Sequence, residues 1–410
     1  MTSSSPAPAA APEAETLPPL DPLPQRIWEN VRTGNLGPAP VLIALAIVVV
    51  IFGFTAQNFW SPANFQNIIT TMAGPTLIAY GVVFVLLIGE IDLSTAYVSG
   101  VAGVVVAQLQ RPDAANLPWW LCVLLAILAT TAIGAFQGSV VALIGVPSFV
   151  VTLAGYEIWN GVIFKGLPGV ITIQSQKIND FSYYLFSPTA GWIIAALVSV
   201  AYVAGVGWGA LSSRRHGIAL HDPVMFWLKL AIVPFVACLT VYILNKPGSG
   251  GMPLGVLLMA GGLVFWTFIA KQTTFGRHVY AVGGNAEAAR RAGINVPRIR
   301  IIVFMIAGAM SGLGGVVLAA RLQSVDLQAG SGTLLLDVIS AAVIGGTSLF
   351  GGRGDVRNAL IGAALIYTIQ SGMFIKGYAT GVIFIVTGII LLLAVTFDTV
   401  VRRIQARSGR

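Results

Sequence analysis

The chain has 410 residues, 56% of them hydrophobic and 9% charged, with a formal net charge of +8. Soluble domains carry roughly 25% charged residues, so this composition, with a mean hydropathy of +0.85, excludes an ordinary soluble protein and indicates an integral membrane protein. The basic residues lie in short loops rather than on one face, which excludes a nucleic-acid-binding surface and makes them topology signals instead.

The first 37 residues, MTSSSPAPAAAPEAETLPPLDPLPQ onward, are rich in Pro, Ala and Ser and read as a disordered cytoplasmic tail. They lack the basic stretch followed by an apolar core that marks a cleaved signal. The apolar run Pro40–Phe54 therefore reads as an uncleaved anchor. A membrane domain is expected over 38–399, with twelve apolar segments at 40–56, 66–88, 95–110, 118–139, 146–164, 191–211, 224–244, 252–270, 301–320, 335–350, 358–376 and 379–399. Several are short or broken by glycine. The expectation is an all-α polytopic protein of about 10–12 transmembrane helices, some of the segments broken or re-entrant, since a span needs roughly 20 apolar residues. A basic cytoplasmic tail follows over 400–410.

Alternating these segments from an N-terminus inside puts sixteen basic residues inside and six outside, the six being Arg111, Lys165, Lys177, Lys246, Arg321 and Lys376. That bias predicts both termini on the cytoplasmic side. Two outside stretches, Lys165–Ala190 and Arg321–Gly332, could meet an external partner or be plain connectors.

The inside loop 271–300 holds six of the 23 Lys and Arg. Within it, EAARRAG (Glu287–Gly293) predicts a short helix: alanine favours helix, Glu287 suits the positive end of the dipole, and Gly293 is placed to stop it. Ala288, Ala289 and Ala292 would offer a small, smooth face, either docked in a partner's groove or solvated.

Ionisable residues at membrane depth are costly and commonly line a pathway. Glu90 and Asp92 lie in GEIDLS between two apolar runs, where Asp92 and Ser94 could equally cap the next helix. A second break, AAVIGGTSLFGGRGD, holds Gly345, Gly346 and Thr347. Such backbone persists in a membrane only when buried in protein or lining water. The similar surroundings of the two breaks suggest related halves of an internal repeat. Thr152, Glu157, Asn160 and Asp337 are further polar candidates, for a sugar's hydroxyls or for interhelical hydrogen bonds. GAFQG (Gly134–Gly138) and GAMSG (Gly308–Gly312) predict close helix packing. Cys122 and Cys238 sit in apolar runs, and His216, His221 and His278 show no metal-ligand spacing, so no metal site is expected. Neither a nucleophile–base arrangement nor a phosphate-binding G-x4-G-K-[S/T] occurs, so no catalytic residue is assigned.

EAARRAG fits the EAA-x3-G coupling pattern of ABC importer permeases. The wider FGRHVYAVGGNAEAARRAGINV resembles the monosaccharide permeases that take up ribose, galactose and xylose. GEIDLS is similar to that family's GGIDLS, AAVIGGTSLFGGRG to its VIGGTSL-GGRG, and PSFVVTLAG (Pro147–Gly155) to another of its stretches. This chain departs at Glu90, where glycine is usual. The extra length between Lys165 and Asn245 is similar to xylose-type permeases.

The resemblance implies an ABC importer permease of type II-like fold, a homodimer with the pathway between two copies, in the bacterial inner membrane. It implies a cytoplasmic ATPase subunit, which carries ATP and Mg, and an extracytoplasmic sugar-binding protein; this chain itself would bind no cofactor. Gly283, Gly284, Asn285, Glu287, Ala288, Ala289, Arg290 and Gly293 would couple to the ATPase. Glu90, Asp92, Ser94, Thr152, Glu157, Asn160, Asp337, Gly345, Gly346 and Thr347 would serve the translocation pathway. The rivals are an ion-coupled secondary transporter relaying protons through the buried carboxylates, and an ABC permease for branched-chain amino acids.

Overall fold

A computed structural model describes residues 39–215 and 223–407. The tail read over 1–37, His216, His221 and residues 408–410 lie outside the described residues. All twelve apolar segments are helical: α1 (Ala39–Thr55), α2 (Pro62–Leu87), α3 (Thr95–Leu109), α4 (Trp119–Ser139), α5 (Ser148–Gly166), α7 (Pro188–Arg215), α8 (Pro223–Leu244), α9 (Leu254–Gln272), α12 (Val296–Leu322), α13 (Leu334–Ile344), α14 (Val356–Ile375) and α15 (Thr380–Arg407). Three short helices lie between them: α6 (Gln176–Tyr183), α10 (Thr274–Gly284) and α11 (Ala286–Arg291). Helix α15 continues through Arg407, so the basic end read as a tail from 400 begins as helix.

Among the described residues, seven helices are long and apolar enough to cross a membrane: α2, α4, α7, α8, α9, α12 and α14. The larger number expected from the sequence includes α1, α3, α13 and the apolar part of α15, which are shorter. Helix α3 begins at one of the two breaks, Gly89–Ser94, and α13 stops at the other, Gly345–Gly354.

Helices α2 and α12 form the axis of the bundle and pack on each other, with α3 and α4 also against α12. The glycine pairs explain the closeness. Gly134 and Gly138 of α4 lie against the backbone of Phe304 and Ile301, while Gly308 and Gly312 of α12 lie against Thr130. With lipid as solvent, apolar burial does little to drive helices together, so small residues that let backbones approach are what bind this core. By contrast α7, α8 and α9 are largely exposed.

At the end that carries Arg321, the two stretches read as outside connectors join. Strand β1 (Ile171–Thr172) pairs antiparallel with β4 (Ser324–Val325), Ile171 opposite Val325. Helix α6 is tied to α12 there, with Ser182 Oγ donating to Val317 O at 2.8 Å and Tyr183 OH to Arg321 O at 2.8 Å. A second short pair, β2 (Leu185–Phe186) with β3 (Met252–Pro253), extends the same layer.

Candidate functional site

The charged loop 271–300 holds two helices, not one. Thr273 caps α10, its Oγ1 accepting from Gly276 N at 3.2 Å. Asn285 caps α11, its Oδ1 accepting from Ala288 N at 2.9 Å. Gly293 stops α11 as expected: its φ is +85°, its N–H donates to Arg290 O, and Ile294 N donates to Ala289 O. That pairing satisfies carbonyls the helix end leaves open.

The alanine face differs from the expectation. Ala288 and Ala292 are exposed, whereas Ala289 is 5% exposed and packs into the chain's own core. Neighbouring helical residues point about 100° apart, so Ala289 anchors the helix and Ala288 and Ala292 are left facing outward. Glu287 receives hydrogen bonds from Arg290 (2.8 and 3.0 Å) and Arg291 (3.1 Å), which hold its carboxyl below the usual range. The outer surface of α11 is therefore small, charged and preformed.

Helix α10 sits directly on both breaks. Gly352 N donates to Leu87 O at 2.9 Å, joining the two loops. Gly283 presses on that junction so closely that a Cβ there would overlap Leu87 O. Gly284 faces open space. Tyr280 OH donates to Gly354 O at 2.9 Å, and burial pushes its phenol up to about 12. Asp355, which caps α14, pairs with Lys271 and Arg357. Burial raises its carboxyl, but hydrogen bonds from Arg357 and Lys271 outweigh that and hold it below the usual range.

The GEIDLS loop is clamped by three helices, α4, α5 and α12. Glu90 pairs with Arg300 of α12 at 3.1 Å. Ile91 N donates to Ser148 Oγ at 3.2 Å, and Thr152 Oγ1 lies 3.2 Å from Ile91 O. Ser94 occupies the N-cap position of α3, yet its hydroxyl does not cap; Asp92 Oδ1 accepts from Ser94 N (2.9 Å) and Ser94 Oγ (2.7 Å). Ser94 Oγ also lies 3.1 Å from Gln137 Oε1, while the buried Gln137 Nε2 has no partner. Turning that amide lets Nε2 donate to Ser94 Oγ. In the other break, Thr347 Oγ1 is buried without a partner, Gly345 packs on Asn358 O, and Gly346 has φ +91°.

Thus Glu90, Asp92, Ser94, Thr152, Gly345, Gly346 and Thr347 gather at the end of the bundle that carries α10 and α11. The other candidates lie elsewhere. Asp337, 3% exposed, accepts from Thr333 Oγ1 and Gln370 Nε2 at 3.0 Å each and borders a chamber of about 340 Å³ near Arg321, Asp326 and Gln328. Glu157 is exposed and Asn160 half-buried on α5. Glu157 lies midway along α5, on a stripe with Val150, Ala154 and Gly161 that is also exposed. Sequence reasoning assigns no site role to Gln137, Ser148, Lys271, Arg300, Asp355 and Gln370; Lys271 and Arg300 enter it as charges, and Gln137, Ser148 and Asp355 only as members of motifs.

Helix α10 thus joins the exposed helix α11 to two breaks in a membrane bundle. Residues 64–395 match the family described as branched-chain amino acid transport system / permease component. The chain belongs to this permease family. The xylose transport system permease protein XylH of Escherichia coli K12 is 34% identical over 381 residues, 92% of this chain and 95% of that protein. The ribose import permease protein RbsC of Haemophilus influenzae is 30% identical over 358 residues, 87% and 91% of the two chains. The L-arabinose ABC transporter permease protein AraH of Azospirillum brasilense is 28% identical over 383 residues, 93% and 91%. No solved structure matches. The permease is therefore a multi-pass membrane component of an ABC sugar transport system, not an enzyme.

Proposed function

We propose that this permease carries a monosaccharide, a pentose such as D-xylose, inward across a bacterial plasma membrane, with both termini cytoplasmic. The 34% identity to xylose permeases, above that to the ribose and arabinose relatives, favours xylose. The observation that carries the transport reading is the contact of α10 with both breaks through Gly283, Leu87 and Gly352. A cytoplasmic ATPase subunit docks on α11 through Glu287, Ala288, Arg290 and the flanking Gly284 and Asn285, and Ala289 and Gly293 hold that helix in place. Closure of the ATPase pair moves α10, and the Gly283 contact and the Glu90–Arg300 pair pass the movement to the breaks. Partner binding that differs between outward and inward states shifts their populations. The layer of α6 and the β1–β4 pair receives a sugar-binding protein on the opposite face.

The permease works as a homodimer. A carboxylate exposed halfway along an otherwise apolar helix is costly against lipid. Ala154 and Gly161 beside Glu157 allow a second helix to approach. A second copy covering α5 would bring Glu157 and Asn160 into a pathway between the two chains, with Asp337 and its chamber toward the outer side.

Sugar uptake into proteoliposomes holding the permease, its ATPase and its binding protein tests this. The expected result is xylose uptake that requires ATP on the ATPase side and all three proteins, and that xylose inhibits better than ribose or galactose. Uptake by the permease alone, driven by an ion gradient, would overturn the reading.

A further inference from the structure

Helices α7 and α8 are largely exposed and meet the core through Ala195, Val241 and Leu244, and a groove of about 980 Å³ runs between them and α1, α2, α9 and α14. It begins at Trp60 and Lys246 and follows α2 from Pro62 to Met72. At 1.5 Å per residue that is about 15 Å, half of a hydrocarbon core about 30 Å thick. The groove is thus one leaflet deep. Aliphatic and aromatic side chains make nearly all of its wall, so it is a space for hydrocarbon rather than for water or a sugar.

Its charge is one-sided. Among the described residues, Lys246 is the one cation on the wall, it stands at the mouth, and no carboxylate lines the groove. The Lys246 ammonium lies 4.6 Å over the Tyr242 ring, which keeps it at the entrance. Trp60, 68% exposed, marks the headgroup level beside it. An apolar slot of leaflet depth with a lone cation at its rim matches an acyl chain joined to a phosphate.

We propose that the groove binds an anionic phospholipid, its acyl chain along α2 and its phosphate at Lys246, and that this lipid fastens the α7–α8 hairpin to the bundle. Free phosphate would meet Lys246 alone and leave the slot unfilled, so the lipid is the occupant. The site does not depend on which solute the permease carries.

Native mass spectrometry of the full chain, offered equal phosphatidylglycerol and phosphatidylcholine, tests the site. The expected result is a retained phospholipid with phosphatidylglycerol favoured about fivefold, the ratio one lysine near an anionic headgroup supplies. K246Q should abolish the preference while keeping a lipid, and K376Q, on a lysine outside the groove, should preserve it. Ala260→Phe, in the groove wall, should displace both lipids. No retained phospholipid on the wild-type chain, a preference that survives K246Q, or undiminished retention by a folded Ala260→Phe chain would each overturn the proposal. Inorganic phosphate competing as well as phosphatidylglycerol would also overturn it.

Discussion

Replacing Gly283 with alanine tests whether α10 moves the membrane breaks. Gly283 lies within α10, with no positive φ to preserve, so the backbone accepts alanine without strain. The added methyl instead meets Leu87 O, and it would stand 2.7 Å from Gly352 N. It must separate α10 from the two loops or break the 2.9 Å bond between Gly352 N and Leu87 O. Overpacking costs about 1–3 kcal/mol and an orphaned buried N–H a similar amount, so the junction loses about 1–3 kcal/mol by either route and about 2–6 kcal/mol by both. Gly284→Ala is the matched control, since a Cβ there meets nothing within 4 Å. Hydrogen exchange at the Gly352 amide should rise at least tenfold in Gly283→Ala, and ATP-driven uptake should fall at least tenfold, with membrane insertion and ATPase binding retained. Gly284→Ala should leave Gly352 protected. Wild-type protection and uptake in Gly283→Ala would refute the idea that force passes through this contact.

Three further outcomes are expected. Ala289→Glu places a charge in the core and Gly293→Pro removes the N–H that bonds Arg290 O, so each should abolish uptake while the chain still inserts; wild-type uptake by either inserted variant would count against α11 as the coupling helix. Glu90→Gln and Arg300→Gln should each lower uptake several-fold, the partly screened pair being worth about 1 kcal/mol, and the exchanged pair Glu90→Arg with Arg300→Glu should recover part of it. Because the Asp355 carboxyl is held below its ordinary range, its stabilising contribution is complete above that range and is lost as pH falls through the lower folded value; Asp355→Asn should flatten that acid limb in thermal melts.

The spans were legible because length and hydropathy alone define them, and the stop at Gly293 because it is local chemistry. The approach of α4 to α12 was legible too, through paired glycines at helical spacing. Helix α10 was not. Its eleven residues, TFGRHVYAVGG, are too few and too polar to stand out from a charged loop, and what orders them is burial of Gly276, Val279 and Val282 against the bundle. A short helix is marginal by itself and takes its stability from such tertiary contacts. Nor could Arg300 and Glu90, or Gln370 and Asp337, be paired from sequence, since contacts that distant leave no spacing to read. Ala289 shows a subtler limit: composition marked a small-faced helix, but which alanine turns inward depends on where the bundle lies.

On the proposed coupling, the two breaks would let a partner acting on one face affect the whole permease. Regular helices spanning a membrane satisfy their own backbone groups and resist deformation, whereas Gly89–Ser94 and Gly345–Gly354 rely on neighbours: Leu87 O, Ser148 Oγ, Thr152 Oγ1 and Tyr280 OH. Interactions held by a few exchangeable hydrogen bonds open at lower free energy than a packed helix. Both loops are joined through Gly352 to Leu87, and α10 rests on that joint, so a displacement of α10 would reach both at once. From there α3, which follows one break, and α14, which follows the other, would carry the change toward the chamber beside Asp337. The glycines that let the loops approach α10 also make them the parts of the bundle that yield first, which is why substitutions at the junction should weaken transport more than they weaken insertion.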